Sequence, residues 1–121
     1  MNRPIHLELR SLDVRQTREF WSKVFGWMFV KHPGPVDYWG VSTGADDTPG
    51  IHGGLMTPRD GQVRCVPWIE VADVEASAAD IVNAGGVITV PKMPVPGVGD
   101  LAYCAAPDGI AFAIVRCSTG K

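Results

Sequence analysis

Residues 4–10 alternate, with Ile5, Leu7 and Leu9 on one side and His6, Glu8 and Arg10 on the other. That period of two predicts a half-buried strand whose polar face carries three ionisable groups. Asp13 then stands as an N-cap for a helix over 14–25, in which Phe20, Val24, Trp21 and Phe25 recur at helical spacing before Gly26 ends it. This aromatic face is expected to pack on the sheet. Three extended pieces follow, at 27–32, 36–42 and 50–56, separated by turns rich in Pro and Gly. The first half therefore reads as βαβββ.

The second half repeats the plan. Residues 64–71 form a strand, Asp73 caps a helix over 74–84, Gly85 and Gly86 stop it, and strands follow at 87–90, 101–105 and 110–116. Asp13 and Asp73 are 60 positions apart, as are Gly26 and Gly86. His6-x-Glu8 precedes the first cap as Trp68-x-Glu70 precedes the second, and Tyr38 and Tyr103 each stand six residues before a Gly. These parallels indicate duplication. The expected fold is α+β: a single domain of 121 residues, with modules over about 4–56 and 64–117 forming a curved mixed sheet around one cleft. Alternation sends His6, Glu8, Trp68 and Glu70 to the concave face, where small ligands bind.

Composition narrows the function. Eleven basic and thirteen acidic residues give a net charge of −2 with no basic cluster, which argues against nucleic acid as the partner. The longest apolar run, Val24 to Val30, is seven residues and contains a Gly, whereas a membrane span needs about 20. With no signal-like N-terminal segment either, the expectation is a cytoplasmic protein that does not enter a membrane. Cys65, Cys104 and Cys117 are odd in number and lack C-x-x-C spacing, so they are expected to be reduced packing residues. No Gly-rich loop opens a helix in the manner of a nucleotide site. His32, beside Pro33, is expected in solvent, as is the connector 57–62.

The doubled βαβββ order, the segment from Glu19 to Trp27, the stretch Gly50 to Met56, the run Val90 to Gly99 and the turn Pro107-Asp108-Gly109 resemble the glyoxalase, bleomycin-resistance and extradiol dioxygenase (vicinal oxygen chelate) superfamily. Within it the chain looks like the glyoxalase-like branch without an assigned reaction. The resemblance implies a homodimer and, in metal-dependent members, a ligand on the first and last strand of each half. The matching positions here are His6, His52, Pro67 or Trp68, and Ala113, so at most two of four ligands survive. No cofactor is expected from that set. The alternative is a rebuilt divalent site from His6, His52 and either Glu8 or Glu70, with the two-His-one-carboxylate composition of non-haem iron centres.

Without a metal, a desolvated carboxylate is the group able to take a proton next to a carbonyl. Glu8 and Glu70 are the candidate bases, with pairing to Arg10 or Arg64 as the structural alternative, and His6 and Tyr103 are candidate polarising groups. Tyr38, Trp39, His52, Trp68 and Met93 are candidate ligand contacts, with Trp39 and Trp68 as stacking surfaces. The proline-rich run 91–99 is expected to be a stiff loop, either a lid or a rigid connector between strands. The expected function is a metal-independent lyase or isomerase acting on a small carbonyl compound. The alternative is a non-catalytic binder of a planar drug or metabolite.

Overall fold

In the computed structural model, which describes residues 1–118, the alternating first segment is strand β1 (Arg3–Arg10). It is followed by α1 (Val14–Phe25), β2 (Met28–Lys31), β3 (Tyr38–Ser42) and β4 (His52–Met56). The second series comprises β5 (Arg64–Glu70), α2 (Val74–Asn83), β6 (Val87–Val95), β7 (Gly99–Ala105) and β8 (Ala111–Cys117). The βαβββ plan thus occurs twice. Asp13 accepts the Gln16 N–H at 3.0 Å and Asp73 the Ala76 N–H at 3.1 Å, so both helices start at the same kind of cap. No helix among the described residues is long and apolar enough to cross a membrane.

The contacts group the chain into two units, His6–Val66 and Met1–Ile5 with Pro67 onward. In the first unit the strands run β2-β3-β4-β1, with β4 parallel to β1 and antiparallel to β3. The register sets Glu8 beside Gly54 and Gly54 beside Gly40. Leu55, wholly buried, lies between Leu9 and Trp39 on the other face. Burying such a side chain contributes about 1.5–3 kcal/mol. The Arg18 guanidinium of α1 lies 4.1 Å from the centre of the Trp39 ring, which places α1 on that apolar face.

The helix meets the sheet differently from the sequence expectation. Trp21 is half-buried, but Phe20, Val24 and Phe25 are 52%, 54% and 58% exposed. Helical spacing puts Phe20 and Val24 on a stripe roughly a quarter-turn away from Trp21. A run of apolar residues this wide covers more of the helix surface than one sheet face takes up.

In the second unit the order is β5-β8-β7-β6, with β8 parallel to β5 and antiparallel to β7. Val71, Val74, Ala102, Cys104 and Ile114 form its buried cluster, with Ala78 and Ile81 of α2 packed against it. Cys104 is a packing residue here, its thiol pushed up to about 11 by burial. Of the two readings of run 91–99, the structure has the connector between strands: the run forms the end of a β-hairpin. β6 continues through Pro91 and Pro94 to Val95 and pairs with β7, with register shifts between Ile88 and Met93. Prolines are tolerated because β6 is an edge strand, so their missing N–H groups leave no ladder bond unmade. The turn closes with Val98 N–H donating to the Val95 carbonyl at 3.0 Å, and Gly97 takes the positive φ of 78° that a turn with Pro96 before it requires. In the connector between the modules, Pro58 is buried rather than solvated.

Candidate functional site

Strand alternation brings His6, Glu8 and Arg10 of β1 to the face opposite α1. Glu8 is wholly buried, and Arg10 Nε donates to its Oε2 at 2.6 Å. Arg10 keeps 17% of its side chain exposed, while the Glu8 side chain keeps 1%. A carboxylate at this depth costs several kcal/mol to desolvate, and a charge-assisted bond of this length is what offsets that cost.

Gly54, beside Glu8, has no side chain to fill its position, and the Tyr38 ring occupies it. A Cβ at Gly54 would fall inside the Tyr38 hydroxyl and 2.6 Å from its Cζ. Gly40, paired with Gly54 across β3 and β4, is covered in the same way: a Cβ there would come within 3.1 Å of the His32 ring. His32 and Tyr38 pack edge to face at 4.9 Å. A cross-strand glycine pair therefore lets two rings lie down on the sheet, and Tyr38 sets its phenol over Gly54, the register neighbour of Glu8. His32 is exposed, as expected, but it braces Tyr38.

The electrostatics centre on Glu8. The Tyr38 phenol is pushed up to about 12 by burial and then by the negative charge of Glu8, so it stays protonated throughout the physiological range. Burial holds the His6 imidazole below its ordinary value, outweighing the opposing pull of Glu8, and His52 adds slightly to the depression. The Cys65 thiol is raised by burial and by Glu8. Glu8, Tyr38 and His6 thus assemble a buried carboxylate, a protonated phenol and a neutral imidazole within one unit.

His52 is committed elsewhere. Its Nδ1 accepts the Thr43 N–H at 3.1 Å, which leaves Nε2 to carry the proton and donate to Asp46 at 2.7 Å. The ring therefore fastens the loop 43–51, and neither nitrogen retains a lone pair for a metal. In the second unit, Trp68 lies beside Ala113 in the β5–β8 register, and neither supplies a donor. Among the described residues no group of three His, Cys, Asp or Glu side chains is placed to hold a metal ion. The donors do not fit the divalent ion of metal-dependent members, nor the rebuilt His6, His52 and carboxylate set.

Other sequence candidates are placed differently from their expected roles. Trp39 faces α1 beneath Arg18, with its indole N–H donating to Asp37 at 3.0 Å, so it is on the opposite side of the sheet from Glu8. Trp68 is 6% exposed, buried rather than an open stacking surface. Glu70 is half-buried and accepts a hydrogen bond from the Cys117 thiol, which raises that thiol after burial has done so. Tyr103 and Met93 are half-buried on β7 and β6, Met93 opposite Leu101 on the edge of the hairpin. What the sequence reading missed is Gly54 as the seat of Tyr38, and the available signal was the Gly53-Gly54 pair inside a strand, where glycine marks close approach.

No family model matches the chain. Among curated proteins, it is 29% identical to the anthracycline biosynthesis protein DauV of Streptomyces sp. (strain C5) over 93% of its length. DnrV of Streptomyces peucetius matches equally, also at 29% over 93% of this chain. The chain spans about half the length of these curated relatives, 46% of each. Among solved structures, a methylmalonyl-CoA epimerase in complex with methylmalonyl-CoA superposes with a TM-score of 0.71 at 18% identity, covering 100% of this chain and 98% of that one. The Mycobacterium tuberculosis methylmalonyl-CoA epimerase gives 0.66 at 12% identity, over 95% of this chain and 87% of that one. With two βαβββ modules, parallel first and last strands in each, and these superpositions, the chain has the fold of the glyoxalase, bleomycin-resistance and extradiol dioxygenase (vicinal oxygen chelate) superfamily.

Proposed function

We propose that the protein is a small-molecule isomerase or lyase that removes a proton next to a carbonyl group, using the polar face of its first module. The observation that carries this reading is the buried Glu8 carboxylate set beside the protonated Tyr38 phenol. In the proposed step Glu8 accepts the α-proton, the C–H electron pair moves into the carbonyl, and the developing enolate oxygen accepts a hydrogen bond from Tyr38. Arg10 swings aside as the ligand displaces it from Glu8, and neutral His6 gives the carbonyl a second polar neighbour. Isomerisation is complete when Glu8 returns the proton to a neighbouring carbon; a lyase instead expels a group β to the carbonyl. The epimerases that share the fold are consistent with this chemistry, and the anthracycline relatives suggest a ketone of polycyclic type as one ligand class.

The test is deuterium wash-in followed by NMR, with methylmalonyl-CoA and an anthracycline as the two probes. Wild-type protein is expected to exchange an α-proton of one probe, and Glu8→Gln to slow that exchange by about a hundredfold to ten-thousandfold. Exchange that survives Glu8→Gln overturns the assignment of the base.

The 2.6 Å ion pair favours a second reading, in which Glu8 holds Arg10 and the face binds a ligand without turnover. Under it, no probe exchanges, and Arg10→Met weakens fluorescence-detected binding of the anthracycline while Tyr38→Phe leaves exchange at background.

A further inference from the structure

Two oxygen-binding side chains approach the neighbourhood of Glu8 from different directions. Arg10 reaches it along β1, with Nε 2.6 Å from Oε2. The Tyr38 phenol comes from β3 to lie over Gly54, the register neighbour of Glu8 on β4. Met56 pairs with Arg10 on one side and Tyr38 on the other, so the two side chains start from one row of the sheet, about 10 Å apart at the backbone. All of these residues lie in the His6–Val66 unit.

The Arg10 contact sets a requirement on any ligand. An adjacent guanidinium stabilises the charged form of a carboxylate and so makes it a weaker proton acceptor, which means that Glu8 serves as a base once this contact opens. Glu8 keeps 1% of its side chain exposed and Arg10 17%, so the partner nearer to solvent, with the longer stem, is the one to move. A neutral ligand that opened the contact would separate two desolvated charges and give Arg10 nothing in return. A carboxylate instead offers the guanidinium fork a replacement of the same chemistry.

We propose that Arg10 is a substrate-released latch on Glu8, and that the substrate is a carbonyl compound carrying a carboxylate near its acidic carbon. Arg10 exchanges the Glu8 carboxylate for that of the substrate, and the Tyr38 phenol donates to the carbonyl oxygen. Glu8 then accepts the proton of the acidic carbon, the C–H electron pair moves into the carbonyl, and the new negative charge falls on the oxygen facing Tyr38. Arg10 thereby determines specificity, because an anionic ligand draws it off and a neutral one does not. The inference rests on the reading of Glu8 as the base and adds to it the charge of the substrate.

The test uses levulinate and methyl levulinate, which share a ketone and differ in charge. The Nε–H resonance of Arg10, assigned by its loss in Arg10→Lys, reports the latch, and deuterium wash-in at the methylene beside the ketone reports the base. Levulinate is expected to shift that resonance saturably, with chloride at equal ionic strength as the control, and to exchange about 10- to 100-fold faster than the ester. Glu8→Gln is expected to slow exchange yet to bind levulinate about tenfold more tightly than wild type, because Arg10 no longer leaves a charge to take the anion. An ion pair with a structural role alone would not tighten anion binding when broken. Thermal melting checks the fold of Glu8→Gln, and Glu8→Leu with Arg10→Met, which removes both charges, is expected to lose the affinity for levulinate. No shift up to about 50 mM levulinate, an equal shift by the ester, or a Glu8→Gln protein that binds the anion no more tightly overturns the latch. Equal exchange of acid and ester also overturns it while leaving Glu8 as the base. An anion-specific shift without exchange of either probe removes the base reading and leaves Arg10 as an anion-binding residue.

Discussion

Replacing Arg10 by Met is expected to lower the stability of the protein by about 3–5 kcal/mol, the cost of leaving a buried carboxylate without its cation. Glu8 has 1% of its side chain exposed and Arg10 17%, so water does not substitute for the guanidinium at the carboxylate. The partner replacement decides whether the pair or the packing matters. If the cost comes from the orphaned charge, the double variant Glu8→Leu with Arg10→Met recovers most of the loss, because a buried pair exchanged for apolar groups of similar volume is close to neutral. Urea denaturation of the four proteins measures the coupling. A loss below about 1 kcal/mol in Arg10→Met would place this contact with ordinary surface ion pairs and would remove Glu8 as a buried charge.

Gly54→Ala is expected to act on Tyr38 rather than on its own backbone. The new Cβ collides with the Tyr38 hydroxyl, so the ring must leave its seat beside Glu8. Overpacking of this kind costs about 1–3 kcal/mol. The specific signature is the phenol. Burial and then Glu8 push it up to about 12, and in Gly54→Ala it should move back toward the ordinary value of about 10. Tyr38 and Tyr103 are the two tyrosines of the chain, so ultraviolet titration in a Tyr103→Phe background follows Tyr38 alone. Stability follows with a defined sign. A group whose folded value is raised contributes stability that is complete below its unfolded value and lost as pH rises through its folded value. The wild type should therefore lose about 2 kcal/mol between pH 10 and 12, and Gly54→Ala should lose less over that range. An unchanged phenol titration would show that Tyr38 is not seated on Gly54.

These two residues show how differently parts of the site can be read. Glu8 was visible as a polar position in an alternating strand, and Arg10 two residues on was already a possible partner. Same-strand neighbours at spacing two share a face whatever the fold does, so local periodicity suffices. Tyr38 and Gly54 are 16 positions apart, and their contact depends on the β3–β4 register that sets Gly40 beside Gly54. A one-residue slip would turn each side chain to the other face, and no local pattern excludes it. Trp39 was misread for this reason: composition marked it as a stacking surface, while pairing with Leu55 sent it to the α1 side. The two partners of His52 come from a loop whose shape is not periodic, so no local pattern announces them.

The element order, the duplication, both N-caps and the helix spans follow from the sequence by itself, because periodicity, capping and glycine stops act within a few residues. The reach of the edge strand through Pro91 and Pro94 did not, since proline reads locally as a breaker and only a missing neighbour on that edge makes it harmless. Tertiary structure alone decided that Arg10 covers Glu8, that two glycines seat two rings, and that Phe20 and Val24 stay uncovered. Each of these depends on which surfaces the folded chain brings together or leaves unpaired, and that is set by strand register and by the single face of α1 that the sheet accepts.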